Sequence, residues 1–75
     1  MTQRDKAEKF KDLATKRVNR AIKDLRLIGN LANTNNYTYT DEQVSKIVAA
    51  LTAEVRAMKR RFEEEGAGDE PAFTL

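Results

Sequence analysis

Neither cysteine nor histidine occurs among the 75 residues, and tryptophan is missing too. Without thiols no disulfide can staple the fold, and without thiols and imidazoles the usual structural zinc ligand sets cannot be assembled. The same absences remove cysteine nucleophiles, nucleophile–imidazole pairs and imidazole proton shuttles. Proline is nearly absent: Pro71 stands alone, and the glycines are Gly29, Gly66 and Gly68. A chain so poor in breakers before Gly66 reads as long uninterrupted elements. No run of about 18 apolar residues exists, so no membrane-spanning helix is expected. Met1-Thr2-Gln3-Arg4-Asp5-Lys6 lacks the apolar stretch of a signal peptide. The expectation is a cytoplasmic protein that does not engage a membrane.

What is present suits helices. The hydrophobic fraction is 40% and the charged fraction 35%, enough for one apolar stripe per helix and too little for a thick core. At this length one domain is the upper limit. Ala7, Phe10, Ala14, Val18, Ala21, Leu25, Ile28 and Ala32 recur at steps of three and four, which keeps them on one helical face. The spacing is close to heptad, with one extra step near Val18. It predicts a first helix over about residues 3–33, starting near Thr2 with Asp5 three residues on. Gly29-Asn30 offers an alternative end, but Leu31 and Ala32 continue the pattern, and Gly29 is expected to allow a close helix approach.

The second helix has the clearest start. Thr40-Asp41-Glu42-Gln43 is a capping box, in which the Thr40 hydroxyl accepts from the Gln43 amide and the Gln43 side chain reaches back. Tyr39 and Val44 are placed as a hydrophobic staple, and Asp41 and Glu42 sit where the helix dipole favours acids. The stripe runs Val44, Ile47, Val48, Leu51, Val55, Met58, Phe62. The helix is expected over about residues 41–65, with Lys59, Arg60 and Arg61 near its end and Gly66 stopping it. Residues 67–75 read as a flexible acidic tail. The connection, residues 34–39, is rich in turn formers, and its shortness predicts an antiparallel two-helix hairpin.

Two helices cannot cover both of their own stripes. Ile22, Leu25, Leu27, Ile28 and Leu31 wrap more than half of the first helix, more than one partner helix buries. The expected fold class is therefore all-α, a hairpin that oligomerises into a four-helix bundle, most simply a homodimer. A monomer closed by a folded-down tail is the alternative. Ala49, Ala50, Ala53 and Ala57 gather opposite the second stripe, and they read either as a close-approach face or as good helix formers in solvent.

Charge points to a ligand class. The 14 Lys and Arg against 12 Asp and Glu give a net charge of only +2. The distribution is uneven: residues 1–36 hold 9 basic and 4 acidic groups, residues 37–75 hold 5 and 8. Lys9, Lys16, Arg20 and Lys23 occupy roughly a quarter of the helix circumference, the footprint of a phosphate-binding strip or simply a solvated surface. Further along, Asn19, Lys23, Arg26, Asn30 and Asn33 would project within about 40 degrees of one direction on a continuous helix. Arg and Asn present planar, multi-donor groups suited to phosphate, carboxylate or base edges. Asn35, Asn36, Tyr37, Thr38 and Tyr39 follow, beside the amides that open the second helix, a candidate anion pocket that Asp41 would oppose. The candidate ligand-binding residues are Asn19, Arg20, Lys23, Arg26, Asn30, Asn33, Asn36, Tyr37 and Tyr39. The competing reading is that Arg26 and the asparagines tie the turn together by bonding loop carbonyls.

Catalysis has little to build on. Ser45 is the one serine and has no imidazole to activate it, and Glu63, Glu64 and Glu65 splay around the helix. Asn36-Tyr37-Thr38 fits a glycosylation acceptor, which has meaning only behind a secretory signal. Neither an enzyme, nor a cofactor, nor a metal is expected. Phe73 and Leu75, at the end of the acidic stretch, are either packing residues or a partner-docking tip.

The strings Lys16-Arg17-Val18-Asn19, Arg26-Leu27-Ile28-Gly29-Asn30 and Tyr37-Thr38-Tyr39-Thr40 resemble a group of small helical proteins of bacteria and phages. The resemblance extends from Phe10 to about Phe62. It implies a compact helical protein, with a mobile element as one source, and carries over no activity. Two functions follow as expectations. One is a homo-oligomeric module that binds an anionic ligand, nucleic acid or nucleotide, through the basic and Asn-rich face. The other is an adaptor or inhibitor of phage or mobile-element origin that binds a host protein, such as an anti-defence protein.

Overall fold

The computed structural model describes residues 3–69, with side-chain exposure for residues 5–65. They belong to two units, Met1–Thr38 and Tyr39–Leu75. The described residues are all-helical, with two long helices and no strand.

In the first unit, α1 spans Gln3–Gly29, with Asp5 in its first turn and Arg26 in its last, each at the end of the helix dipole that favours its charge. Asp12 and Lys16, one turn apart, form an ion pair at 3.2 Å. A 3-10 turn, Asn30–Ala32, prolongs α1. The helical path thus reaches almost as far as the apolar pattern predicts, but its last turn is tightened. Gly29 stands at the junction with φ −60° and ψ −30°, a right-handed conformation and not the left-handed one of a glycine cap. A Cβ built on Gly29 meets nothing within 4 Å. Asn33, at φ −66° and ψ 102°, turns the chain into extended backbone, which ends the helix before Asn33 and not after it.

In the second unit, α2 spans Asp41–Asp69. The capping box forms as its sequence predicts. The Gln43 amide donates to Thr40 Oγ1 at 3.1 Å, and the Thr40 amide donates to Gln43 Oε1 at 2.9 Å. The Val44 amide donates to the Thr40 carbonyl at 3.1 Å, closing the first turn. Glu42 and Lys46 add an exposed ion pair one turn apart at 3.6 Å.

The far end of α2 corrects the sequence reading. Gly66 does not stop the helix, and the first three residues assigned to the acidic tail, Ala67-Gly68-Asp69, are helical. Glycine inside a helix weakens it by ~1 kcal/mol but leaves the amide in place to continue the ladder. Termination at glycine uses a left-handed turn, and no described glycine has positive φ. Lys59, Arg60 and Arg61 therefore precede the final turn, which holds no basic residue. The rest of the expected tail, with Pro71, Phe73 and Leu75, lies outside the described residues.

No residue among those described is buried. Leu13, Ala14 and Ile28 in the first unit, and Leu51 and Ala57 in the second, are half-buried. Leu25 stays 49% exposed on α1, and Val48, Val55 and Met58 stay 56%, 58% and 52% exposed on α2. Both helices keep their apolar stripes open to solvent.

Two substitutions test this local account. Thr40→Ala removes the acceptor that holds the Gln43 amide and is expected to destabilise α2 by ~1 kcal/mol, with Thr40→Ser close to neutral. Thermal unfolding followed by circular dichroism checks it. Gly29→Ala adds a methyl group in open space on a right-handed backbone and is expected to stabilise α1 by about 0.5–1 kcal/mol. A loss of stability in the same melt would place a close neighbour at Gly29 after all.

Candidate anion-binding face

A helix of 3.6 residues per turn advances about 100 degrees per residue. On α1 this sets Asn19, Lys23 and Arg26 within an arc of ~60 degrees, over a rise of ~10 Å, with Arg20 a further ~60 degrees to one side. All four are exposed. Among the described residues Arg20, Lys23 and Arg26 make no ion pair and no side-chain hydrogen bond. Asp24, one turn on from Arg20, leaves it unneutralised. Three cations and one amide thus face solvent together on the C-terminal half of α1.

The wider basic strip is weaker than its composition implies. Lys16 is held by Asp12 at 3.2 Å. The pairing follows from their separation of four residues, a spacing at which Asp and Lys side chains meet. Within the strip, Lys9, Arg20 and Lys23 are left without an ion pair among the described residues.

The asparagines divide. Asn30 opens the 3-10 turn, and its carbonyl accepts from the Asn33 amide at 3.4 Å. Asn33 leaves the helix and organises the loop instead. Its Oδ1 accepts from the Asn35 amide at 3.0 Å, and its carbonyl accepts from the amides of Asn36 at 3.2 Å and Tyr37 at 3.0 Å. Three consecutive loop amides are thereby consumed by one residue. A side-chain oxygen that takes the amide two residues on is the turn-forming habit of Asn. The expected tie between Arg26, the asparagines and loop carbonyls takes a different form: Asn33 accepts from amides, and Arg26 has no part in it. Asn33 does not share the helix face of Asn19, Lys23 and Arg26, because the chain turns extended at that position.

Asn36 and Tyr37 are exposed in the loop of the first unit, while Tyr39 opens the second. The pocket expected at the start of α2 is taken up internally. Thr40 Oγ1 occupies the Gln43 amide, and Asp41 and Glu42 place carboxylates in the first turn, which repel an incoming anion. Of the residues named from sequence, the structure brings Asn19, Arg20, Lys23 and Arg26 together, with Asn30 next along the chain.

Among the described residues no group of three or more Asp and Glu side chains could hold a metal ion, and no helix is long and apolar enough to cross a membrane. Compared with protein-family models, curated proteins and solved structures, the chain matches none.

The role of Asn33 is open to a direct check. Asn33→Ala removes the acceptor for the Asn35 amide and is expected to destabilise the first unit by roughly 1 kcal/mol, whereas Asn33→Asp keeps an acceptor and most of the stability. Loss of ligand binding in Asn33→Ala with an unchanged melting temperature would return Asn33 to the binding face.

Proposed function

We propose that this chain is a small homo-oligomeric binding protein that takes an anionic ligand, nucleic acid or nucleotide, on the face formed by Asn19, Arg20, Lys23, Arg26 and Asn30. The observation that carries the reading is the set of three uncompensated cations on one exposed side of α1. Arg supplies a planar fork of donors that matches two phosphate oxygens at once, and Lys supplies a mobile point charge. Asn19 adds a donor and an acceptor between them, suited to a sugar or base edge. Asn36 and Tyr37 follow the face along the chain within the same unit, and Tyr37 adds a ring to the proposed site.

The proposed assembly is an antiparallel hairpin of α1 and α2, two copies of which complete a four-helix bundle. Its support is the exposure of Leu25, Val48, Val55 and Met58, each worth ~1.5–3 kcal/mol when covered. A homodimer presents the basic face twice. The proposed role is non-catalytic and cytoplasmic, and it needs neither cofactor nor metal. The exposed stripes also support a second reading, an adaptor or inhibitor of phage or mobile-element origin that binds a host protein through apolar surface. The cations on α1 favour the anion-binding reading.

Fluorescence anisotropy with labelled single- and double-stranded oligonucleotides tests the proposal. Each phosphate neutralised contributes roughly −0.7 to −0.9 to the slope of log K against log salt. Arg20→Ala, Lys23→Ala and Arg26→Ala are each expected to flatten that slope by about one and to weaken binding uniformly across sequences. An affinity insensitive to ionic strength overturns the electrostatic mechanism, and binding only to a protein partner selects the second reading.

A further inference from the structure

The apolar stripe of α2 has a finer order than helical periodicity alone. From Val44 the steps are four, three, four, three and four, through Val48, Leu51, Val55 and Met58 to Phe62. This is an unbroken heptad repeat, all of it inside the single helix Asp41–Asp69. With Val44 at a d position, Val48, Val55 and Phe62 fall at a, and Leu51 and Met58 at d. Two of the three a positions are β-branched, and the central d position is Leu. In parallel coiled coils that choice favours pairing of two strands, so within the proposed bundle of two hairpins it singles out one α2–α2 contact.

Charge on the flanks gives the direction. In this frame Glu54 stands at g and Lys59 at e, five residues further on. In a parallel two-stranded coil a g residue faces the e residue of the following heptad on the other chain. A parallel pair of α2 helices therefore sets Glu54 against Lys59 of the second copy, twice by symmetry. Within one chain the two residues do not meet this way: five residues apart they lie about 140 degrees apart on the helix. Among the described residues neither makes an ion pair, and both are exposed. The seam is open as well, with Val48 at 56%, Val55 at 58% and Met58 at 52% exposure.

We infer that α2 docks on α2 of a second copy of this chain as a parallel, in-register pair, with Val48, Leu51, Val55 and Met58 in the seam and Glu54–Lys59 bridges on both flanks. The inference rests on the homo-oligomer proposed above and adds its contact face and direction. Parallel pairing sets the two Thr40 caps side by side, so the loops that precede them emerge at one end of the assembly. The negatively charged first turns, with Asp41 and Glu42, also meet there. Their mutual repulsion makes that end the weaker part of the seam.

The test combines charge reversal with distance measurement on the full chain, each variant being checked for helicity by circular dichroism. Glu54→Lys and Lys59→Glu alone each convert two attractions into two repulsions and are expected to weaken dimerisation roughly tenfold in analytical ultracentrifugation. The double variant, or an equimolar mixture of the two single variants, is expected to restore it. Spin labels on Ser45→Cys and, separately, on Glu63→Cys then report direction. Parallel pairing gives short same-residue distances at both sites, whereas antiparallel pairing about the seam centre adds an axial offset of ~24 Å at Ser45 and ~30 Å at Glu63. A monomeric wild-type chain overturns this inference together with the proposed homo-oligomer. A dimer indifferent to the charge reversals, or one with long same-residue distances, overturns the parallel seam and leaves the homo-oligomer standing.

Discussion

The constraint on which everything else depends is an apolar stripe with nothing over it. A helix satisfies its own backbone, so α1 and α2 form from local rules, but a helix cannot bury its own face. Isolated helices are marginal in water, and most helical stability in proteins comes from packing that face. Here no described residue is buried. The Thr40–Gln43 box and the two ion pairs one turn apart supply about 1 kcal/mol and a few tenths respectively. Covering a single Leu or Val is worth as much or more. Local chemistry decides where the helices start, and burial of their apolar faces decides how firmly helices persist.

That division explains which features were legible in the sequence. The capping box is four consecutive residues whose partners are one another, so reading them in order is reading the structure. The start of α2 at Asp41 follows. The ends are harder, because a helix end is a balance and not a motif. Gly29 and Gly66 look alike as letters, yet both are passed through, one into a tightened 3-10 turn and the other into continued α-helix. Neither needs a left-handed backbone, and without one a glycine only lowers the local stability.

The candidate face shows the same limit. Asn19, Lys23 and Arg26 share an arc because α1 is regular there, and regularity is what periodic reasoning assumes. Asn33 falls off that arc because its side-chain oxygen can serve the Asn35 amide, a local competitor that a wheel of residues does not represent. Lys16 was countable as a charge but not as a free one. Its partner, Asp12, stands one turn back, a signal that composition hides and spacing reveals. In each case the correction comes from a short-range bond within five residues.

In the proposed assembly the two helices separate two tasks that compete on a single surface. A seam must exclude water, and a phosphate-binding face must keep its cations in it. On α2 the apolar residues occupy an arc of ~100 degrees, leaving Glu54 and Lys59 at its borders. On α1 the C-terminal half carries Ile22, Leu25, Leu27 and Ile28, and Asn19, Lys23 and Arg26 lie together on a polar strip beside them. If copies join through α2, ligand binding on α1 leaves the seam untouched, and the two events couple only through geometry. A short anion that meets one α1 binds either state equally and shifts nothing. A polyanion long enough to reach both copies binds the dimer more tightly than the monomer and stabilises it by mass action. Ligand length, rather than ligand charge, then determines whether binding and assembly are linked.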